Sequence, residues 1–115
     1  MSDGPMREPT FLVLTALAGE PRHGYAVIED VAAMTGGRVR LRAGTLYAAL
    51  DRLRSDGLIE VEREEVVQSR LRRYYRLTAA GEQSLAAETA RLRAQAAIAE
   101  ERLRSRGITF GGATA

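Results

Sequence analysis

Between Arg42 and Ile59 a helix, its stop signal and the start of a strand follow one another with no linker between them. Leu46, Leu50 and Leu53 recur at i, i+4 and i+7 and so line one face of a helix, while Thr45, Ala48 and Arg52 fall on a different face. Gly57 stands where a helix end favours a left-handed residue, and Leu58-Ile59-Glu60-Val61-Glu62 then alternates as a strand does. One helix face is committed to a core and the other is free to touch a partner. The chain must therefore fold around a short amphipathic helix that runs straight into a hairpin.

The flanking sequence supplies the rest of a small domain. Residues 1–8 are polar, with Gly and Pro, and are expected to form a disordered N-terminal tail. Pro9 suits the first turn of a helix, and Phe11 to Ala18 is apolar nearly all round. One side of that helix is expected to bury in its own domain and the other, through Phe11 and Leu14, in a second subunit. Gly19 to Arg22 reads as a turn, and Gly24 to Met34 as a second helix with Tyr25, Ile28, Val31 and Ala32 inward, ended by Thr35-Gly36-Gly37. Arg38-Val39-Arg40-Leu41 alternates and fits a one-rung strand beside the later hairpin, whose own strands are expected near 58–66 and 72–78 with Val67 to Leu71 at the tip.

Thr78 is placed to cap the last helix, although the Glu of a capping box falls at 82 and not 81. From Ala79 to Arg106 the residues Leu85, Thr89, Leu92, Ala96, Ala99 and Leu103 step 4-3-4-3-4, a coiled-coil-like seam. At 1.5 Å per residue this helix runs about 40 Å, too far for the small domain to cover. The seam residues Leu85, Leu92, Ala96, Ala99 and Leu103 are therefore expected to face a partner copy. Gly107 stops the helix, and 107–115 is expected to be a flexible tail.

With 115 residues the chain can bury one modest core and has little left for a second. It holds no Cys, which excludes disulfides, thiolate metal sites and cysteine nucleophiles and suits a cytoplasmic protein. No apolar run approaches the ~20 residues a membrane span needs, and Met1-Ser2-Asp3-Gly4-Pro5 lacks the regions of a signal peptide. No membrane partner is expected. The net charge of +2 says little, but its distribution is informative. Positions 1–37 hold two Arg against five acids, 38–76 ten against six, and 77–115 five against four. The cationic excess sits on the central helix and the hairpin, where a phosphate backbone would need it.

Four blocks in order carry a resemblance: His23-Gly24-Tyr25, Gly44-Thr45-Leu46-Tyr47, the run from Ala49 to Ile59, and Tyr74-Tyr75-Arg76-Leu77-Thr78-Ala79-Ala80-Gly81. Together they resemble the PadR family of bacterial transcriptional regulators. The resemblance implies a mainly α (α+β) fold, a winged helix-turn-helix domain over 9–78 with a long C-terminal dimerisation helix over 79–106. It implies double-stranded DNA with an inverted repeat as partner, a homodimer, and a small lipophilic or aromatic effector near the dimer interface, as relatives bind. With no Trp, and Phe only at 11 and 110, an aromatic pocket would be sparsely furnished. Many relatives carry a small polar residue at position 42 and a Pro at position 48, where this chain has Arg42 and Ala48. Arg42 adds a cation at the helix entrance.

On the DNA reading Thr45 and Arg52 meet base edges or phosphates in the major groove and Tyr47 reaches a phosphate. The plain alternative is that Arg52 and Arg54 only solubilise the helix and pair with Asp51 and Asp56. In the hairpin Arg70 and Arg72 share a face and Arg73 points to the other. Arg70 and Arg72 are the expected DNA contacts with Arg73 in reserve, against the alternative that the arginines only pair with Glu60, Glu62, Glu64 and Glu65 across the strands. His23, the one histidine, has no companion ligands for a metal, and the resemblance sets it against DNA backbone. Tyr75 is expected in the core and Tyr74 exposed. No catalytic residue, cofactor or metal is expected, because no nucleophile-base pair or ligand cluster is visible. The reading is a sequence-specific regulator, a repressor released by an effector, with a winged-helix protein-interaction module as the rival.

Overall fold

The computed structural model describes residues 5–110. In chain order it comprises helix α1 (Glu8–Gly19), strand β1 (Arg22–His23), helix α2 (Gly24–Met34), helix α3 (Ala43–Ser55), strands β2 (Ile59–Val67) and β3 (Arg70–Leu77), and helix α4 (Ala79–Arg104). The strands form one antiparallel sheet in the order β1-β3-β2. This is a winged helix-turn-helix with a long terminal helix. One core holds Leu12, Val13, Leu14, Ala16 and Leu17 of α1, Val27 and Val31 of α2, Leu46, Leu50 and Leu53 of α3, and Ile59 and Tyr75 of the sheet.

Local chemistry sets the boundaries. The Thr35 hydroxyl donates to the Val31 carbonyl at 2.8 Å and accepts the Val39 N–H at 3.1 Å, closing α2. Gly36 and Gly37 continue the turn at φ +61° and +83°, a left-handed pair that side chains resist. At the end of α3, Leu58 N–H bonds to the Leu53 carbonyl and Gly57 N–H to the Arg54 carbonyl, with Gly57 at φ +76°. That is a Schellman cap, and it delivers the chain directly into β2.

The hairpin is tighter than the alternation suggests. Only Gln68 and Ser69 form its turn, both at positive φ, the type I′ geometry whose twist matches the flanking strands. A bulge between Val61 and Arg63 shifts the register once. The third strand is not Arg38–Leu41, which has no strand partner. Arg22, the last residue of the expected turn, and His23 pair instead with Tyr75 and Tyr74.

Two further expectations change. Leu14 is fully buried inside its own chain, and Phe11 is half-buried against the core, because α2, α4 and β3 already cover α1. Leu14 therefore offers no surface to a partner. Tyr25, expected inward, is 64% exposed, since Val27 and Val31 take the inner face of α2. Of the expected N-terminal tail, residues 1–4 lie outside the described residues, Glu8 opens α1, and Met6 packs against the core. Of the expected C-terminal tail, 111–115 lie outside the described residues.

Thr78 joins the two halves. Its hydroxyl accepts the Gly81 N–H at 3.1 Å, capping α4, and donates to the Gly57 carbonyl at 2.6 Å, while its N–H bonds to the Leu58 carbonyl at 3.0 Å. Gly81 is buried so close to Leu58 that a Cβ there would overlap the Leu58 carbonyl. From this junction α4 packs along α1 as far as Glu88 and then leaves the domain, and the described chain extends 59 × 31 × 21 Å. Gly81→Ala is expected to destabilise the fold by about 2 kcal/mol or more, since the obstacle is backbone. Gly44→Ala, a site with open space inside α3, should gain about 0.5–1 kcal/mol. Urea unfolding of the two variants checks both signs.

Candidate nucleic-acid interface

The third helix shows two unlike faces. Leu46, Ala49, Leu50 and Leu53 are buried, and Gly44, Ala48, Asp51 and Ser55 lie outermost on the opposite side, all exposed. One flank, with Tyr47 and Asp51, borders a cleft of about 960 Å³. The cleft's other walls are the start of α2, with His23, Gly24 and Tyr25, and the hairpin tip, with Val67, Gln68, Arg70, Leu71, Arg72 and Arg73. Helix and hairpin thus face one concave surface.

Gly24 leaves the space that Tyr47 fills. A Cβ at 24 would sit 2.7 Å from the Tyr47 ring carbon Cζ, so the tyrosine lies across the first turn of α2. His23 is the cap of that turn, its Nδ1 accepting the Ala26 N–H at 3.3 Å. Its ring also meets Tyr74 edge-to-face at 5.3 Å, and Arg63 lies 3.8 Å from the centre of the same Tyr74 ring. Burial first, and then the cation of Arg72, hold the His23 imidazole below its ordinary pKa. The neutral ring is the form the cap requires.

The hairpin arginines divide into two groups. Arg73 pairs with Glu64 at 2.8 Å, Arg76 with Glu60 at 2.8 Å, and Arg63 with Glu62 at 2.5 Å and Glu65 at 3.0 Å. Among the described residues Arg70 and Arg72 form no ion pair, although Arg72 lies across from Glu65 in the register. The two expected contacts are the free cations, and Arg73 is a cross-strand partner. Exposed pairs of this kind contribute little to stability. Their larger effect is to decide which charges remain available to an anion.

The remaining expected residues fall in different places. Arg42 and Thr45 are exposed at the entrance of α3, where no side chain caps the helix. Arg52 lies outside the cleft, on the flank toward α1, and its guanidinium donates to the Thr10 hydroxyl at 3.4 Å. The pairing of Arg52 and Arg54 with Asp51 and Asp56 is not formed either. Sequence reasoning missed Asp51 and Tyr25 as cleft residues, although Asp51 is one turn beyond Tyr47 on the same flank. It also missed Val66 and Leu71, a cross-strand pair beside the tip that is 74% and 58% exposed. Among the described residues no three His, Cys, Asp or Glu side chains converge on a metal position, and no helix is long and apolar enough to cross a membrane.

Residues 13–87 match the family model described as the transcriptional regulator PadR-like family. The chain belongs to that family. A PadR-like match of this span runs from the core of α1 through the hairpin into α4. A transcriptional regulator of Mycobacterium tuberculosis is 40% identical over 93 residues, 81% of this chain and 70% of its own length. A PadR family transcriptional regulator of Eggerthella lenta of known structure is 32% identical, with a TM-score of 0.69 over 83% of this chain and 80% of its own. Bacillus subtilis PadR, solved in complex with operator DNA, shares the fold at 22% identity, with a TM-score of 0.61 over 69% of this chain and 45% of its own. The chain spans 64% of the length of an uncharacterised Lysinibacillus sphaericus relative that is 29% identical over 70 residues.

In this PadR-like domain the His23 cap makes stability depend on pH in a defined direction. The folded pKa is depressed, so the contribution is complete above the unfolded value near 6.5 and is lost as the pH falls through the lower folded value. Asn caps helices well and does not titrate. The stability gap between wild type and His23→Asn should stay constant above about pH 6.5 and move against the wild type below it, read from thermal unfolding over a pH series.

Proposed function

We propose that this PadR-like regulator binds double-stranded DNA at an inverted repeat as a homodimer, represses transcription in the cytoplasm, and is released by a small lipophilic or aromatic effector. It carries no catalysis on this reading. The observation that carries it is the cleft: free cations at Arg70 and Arg72 stand beside the exposed flank of α3, as a helix in the major groove and a hairpin on the flanking backbone require. The fold shared with Bacillus subtilis PadR, which was solved with operator DNA, supports the same reading. Tyr47 and His23 border the cleft, Arg42 and Thr45 stand exposed at the entrance of α3 outside it, and all four supply phosphate or base contacts on this reading. Arg52 acts from the flank.

Dimerisation is supported by the outer half of α4. Leu92 and Leu103 are 38% and 40% exposed, Ala96 and Ala99 lie between them, and nothing among the described residues covers this seam. Leu85 is half-buried against the core and marks where the seam leaves the domain. A second α4 would cover it and set two recognition helices about a two-fold axis. For the effector, an open apolar groove of about 630 Å³ runs between Ala18 and α4, with Leu77, Leu85, Ala86 and Ala90 on its walls and Glu82 and Arg93 at its polar edge.

The test is a fluorescence-anisotropy titration against the DNA upstream of the protein's own gene, at two salt concentrations and with random competitor DNA. Tight binding that survives the competitor supports the regulator. Absence of binding to that DNA and to a random pool favours the protein-interaction module. Arg72→Ala should lower the slope of log K against log salt by about 1, and Arg73→Ala, already paired, by clearly less. Leu92→Asp should convert a dimer to a monomer in sedimentation velocity at micromolar concentration, because it sets a charge in the apolar seam. An unchanged mass would move the interface elsewhere.

A further inference from the structure

Along the outermost line of α3 stand Gly44, Ala48, Asp51 and Ser55, and the one charge among them is negative. Asp51 borders the cleft with Tyr47, Arg70 and Arg72, yet forms no ion pair among the described residues. Arg52, its chain neighbour, is turned toward Thr10. A carboxylate at this place opposes the field of the surrounding arginines. With α3 in a groove about 12 Å wide, it lies near the ~8 Å screening length from phosphates on both sides and weakens every contact with the backbone.

The floor of the major groove offers such a group two kinds of hydrogen-bond donor, the amino groups of cytosine and adenine. Beside the adenine amino group lies the N7 acceptor, which repels the second carboxylate oxygen. Beside the cytosine amino group lies only a C–H edge. Guanine and thymine present oxygen acceptors at the corresponding places and repel the carboxylate outright. The small neighbours at 44 and 48 let the helix approach closely enough for a two-carbon side chain to reach.

Resting on the DNA reading above, we propose that Asp51 is a specificity determinant that accepts a hydrogen bond from a cytosine amino group in each half-site. The arginines draw the protein to any DNA, and Asp51 penalises every site that lacks cytosine at one position. Its cost falls on non-specific binding and its gain on the matching sequence.

The experiment is selection from a random DNA pool with wild type, Asp51→Asn and Asp51→Ala, followed by anisotropy on the selected and on random DNA. Wild type should enrich cytosine at one symmetric position per half-site. Asp51→Ala should lose that preference, bind random DNA several-fold more tightly, and discriminate about tenfold less between the two DNAs. Asp51→Asn should move the position toward adenine, whose amino group and N7 suit an amide. Because Asp51 is exposed, both variants should melt as the wild type does. Identical selected sequences for wild type and Asp51→Asn would overturn the proposal, as would an equal loss on selected and random DNA, which would make Asp51 a positioning residue for the hairpin arginines. A wild type that enriches no sequence would instead defeat the DNA reading on which this one rests.

Discussion

The Thr78 hydroxyl is the contact on which the rest of the arrangement turns. It accepts one hydrogen bond from the first turn of α4 and gives one to the Gly57 carbonyl, where α3 ends and β2 begins. Three elements are thus held by one oxygen atom: α3, the hairpin beside it, and α4. Gly81 makes the joint close. Because its hydrogen atom faces the Leu58 carbonyl, α4 approaches the α3–β2 corner by more than any side chain would permit.

Much of this was legible where the signal is local. The period of Leu46, Leu50 and Leu53, the left-handed Gly57, and the cap at Thr78 each depend on residues within a turn or two, and α3, β2 and the start of α4 lie where those signals put them. What failed depends on distant partners. Arg22 and His23 become a strand only because Tyr74 and Tyr75 arrive beside them from the far end of the domain. Leu14 and Tyr25 were placed by periodicity alone, but how completely α1 is covered, and which side of α2 faces outward, are decided by packing among three helices and a sheet.

The candidate site shows the same division. Strand parity separated Arg70 and Arg72 from Arg73, and of these three only Arg73 is ion-paired, although Arg76, of the same parity as Arg70 and Arg72, pairs with Glu60. Helix position alone could not orient Arg52, whose long side chain reaches back to Thr10 on α1. Asp51 was passed over because an acid on an exposed helix face has an easy explanation as a partner for nearby arginines. That explanation fails in the folded chain, where Arg52 turns toward Thr10 and Asp51 forms no ion pair among the described residues. A count of charges is therefore a poor guide to this surface: of ten arginines between 38 and 76, several are already bound to acids of the same hairpin, and the field in the cleft belongs to a few.

The length of α4 has a mechanical meaning. Its 26 residues run about 39 Å, packed on the domain from the Thr78 junction as far as Leu85 and Glu88 and exposed beyond. A bend of about 5° where the packed part ends carries the far end sideways by about 2 Å. A bend at that point too small to disturb the core is thus magnified toward the end of the helix.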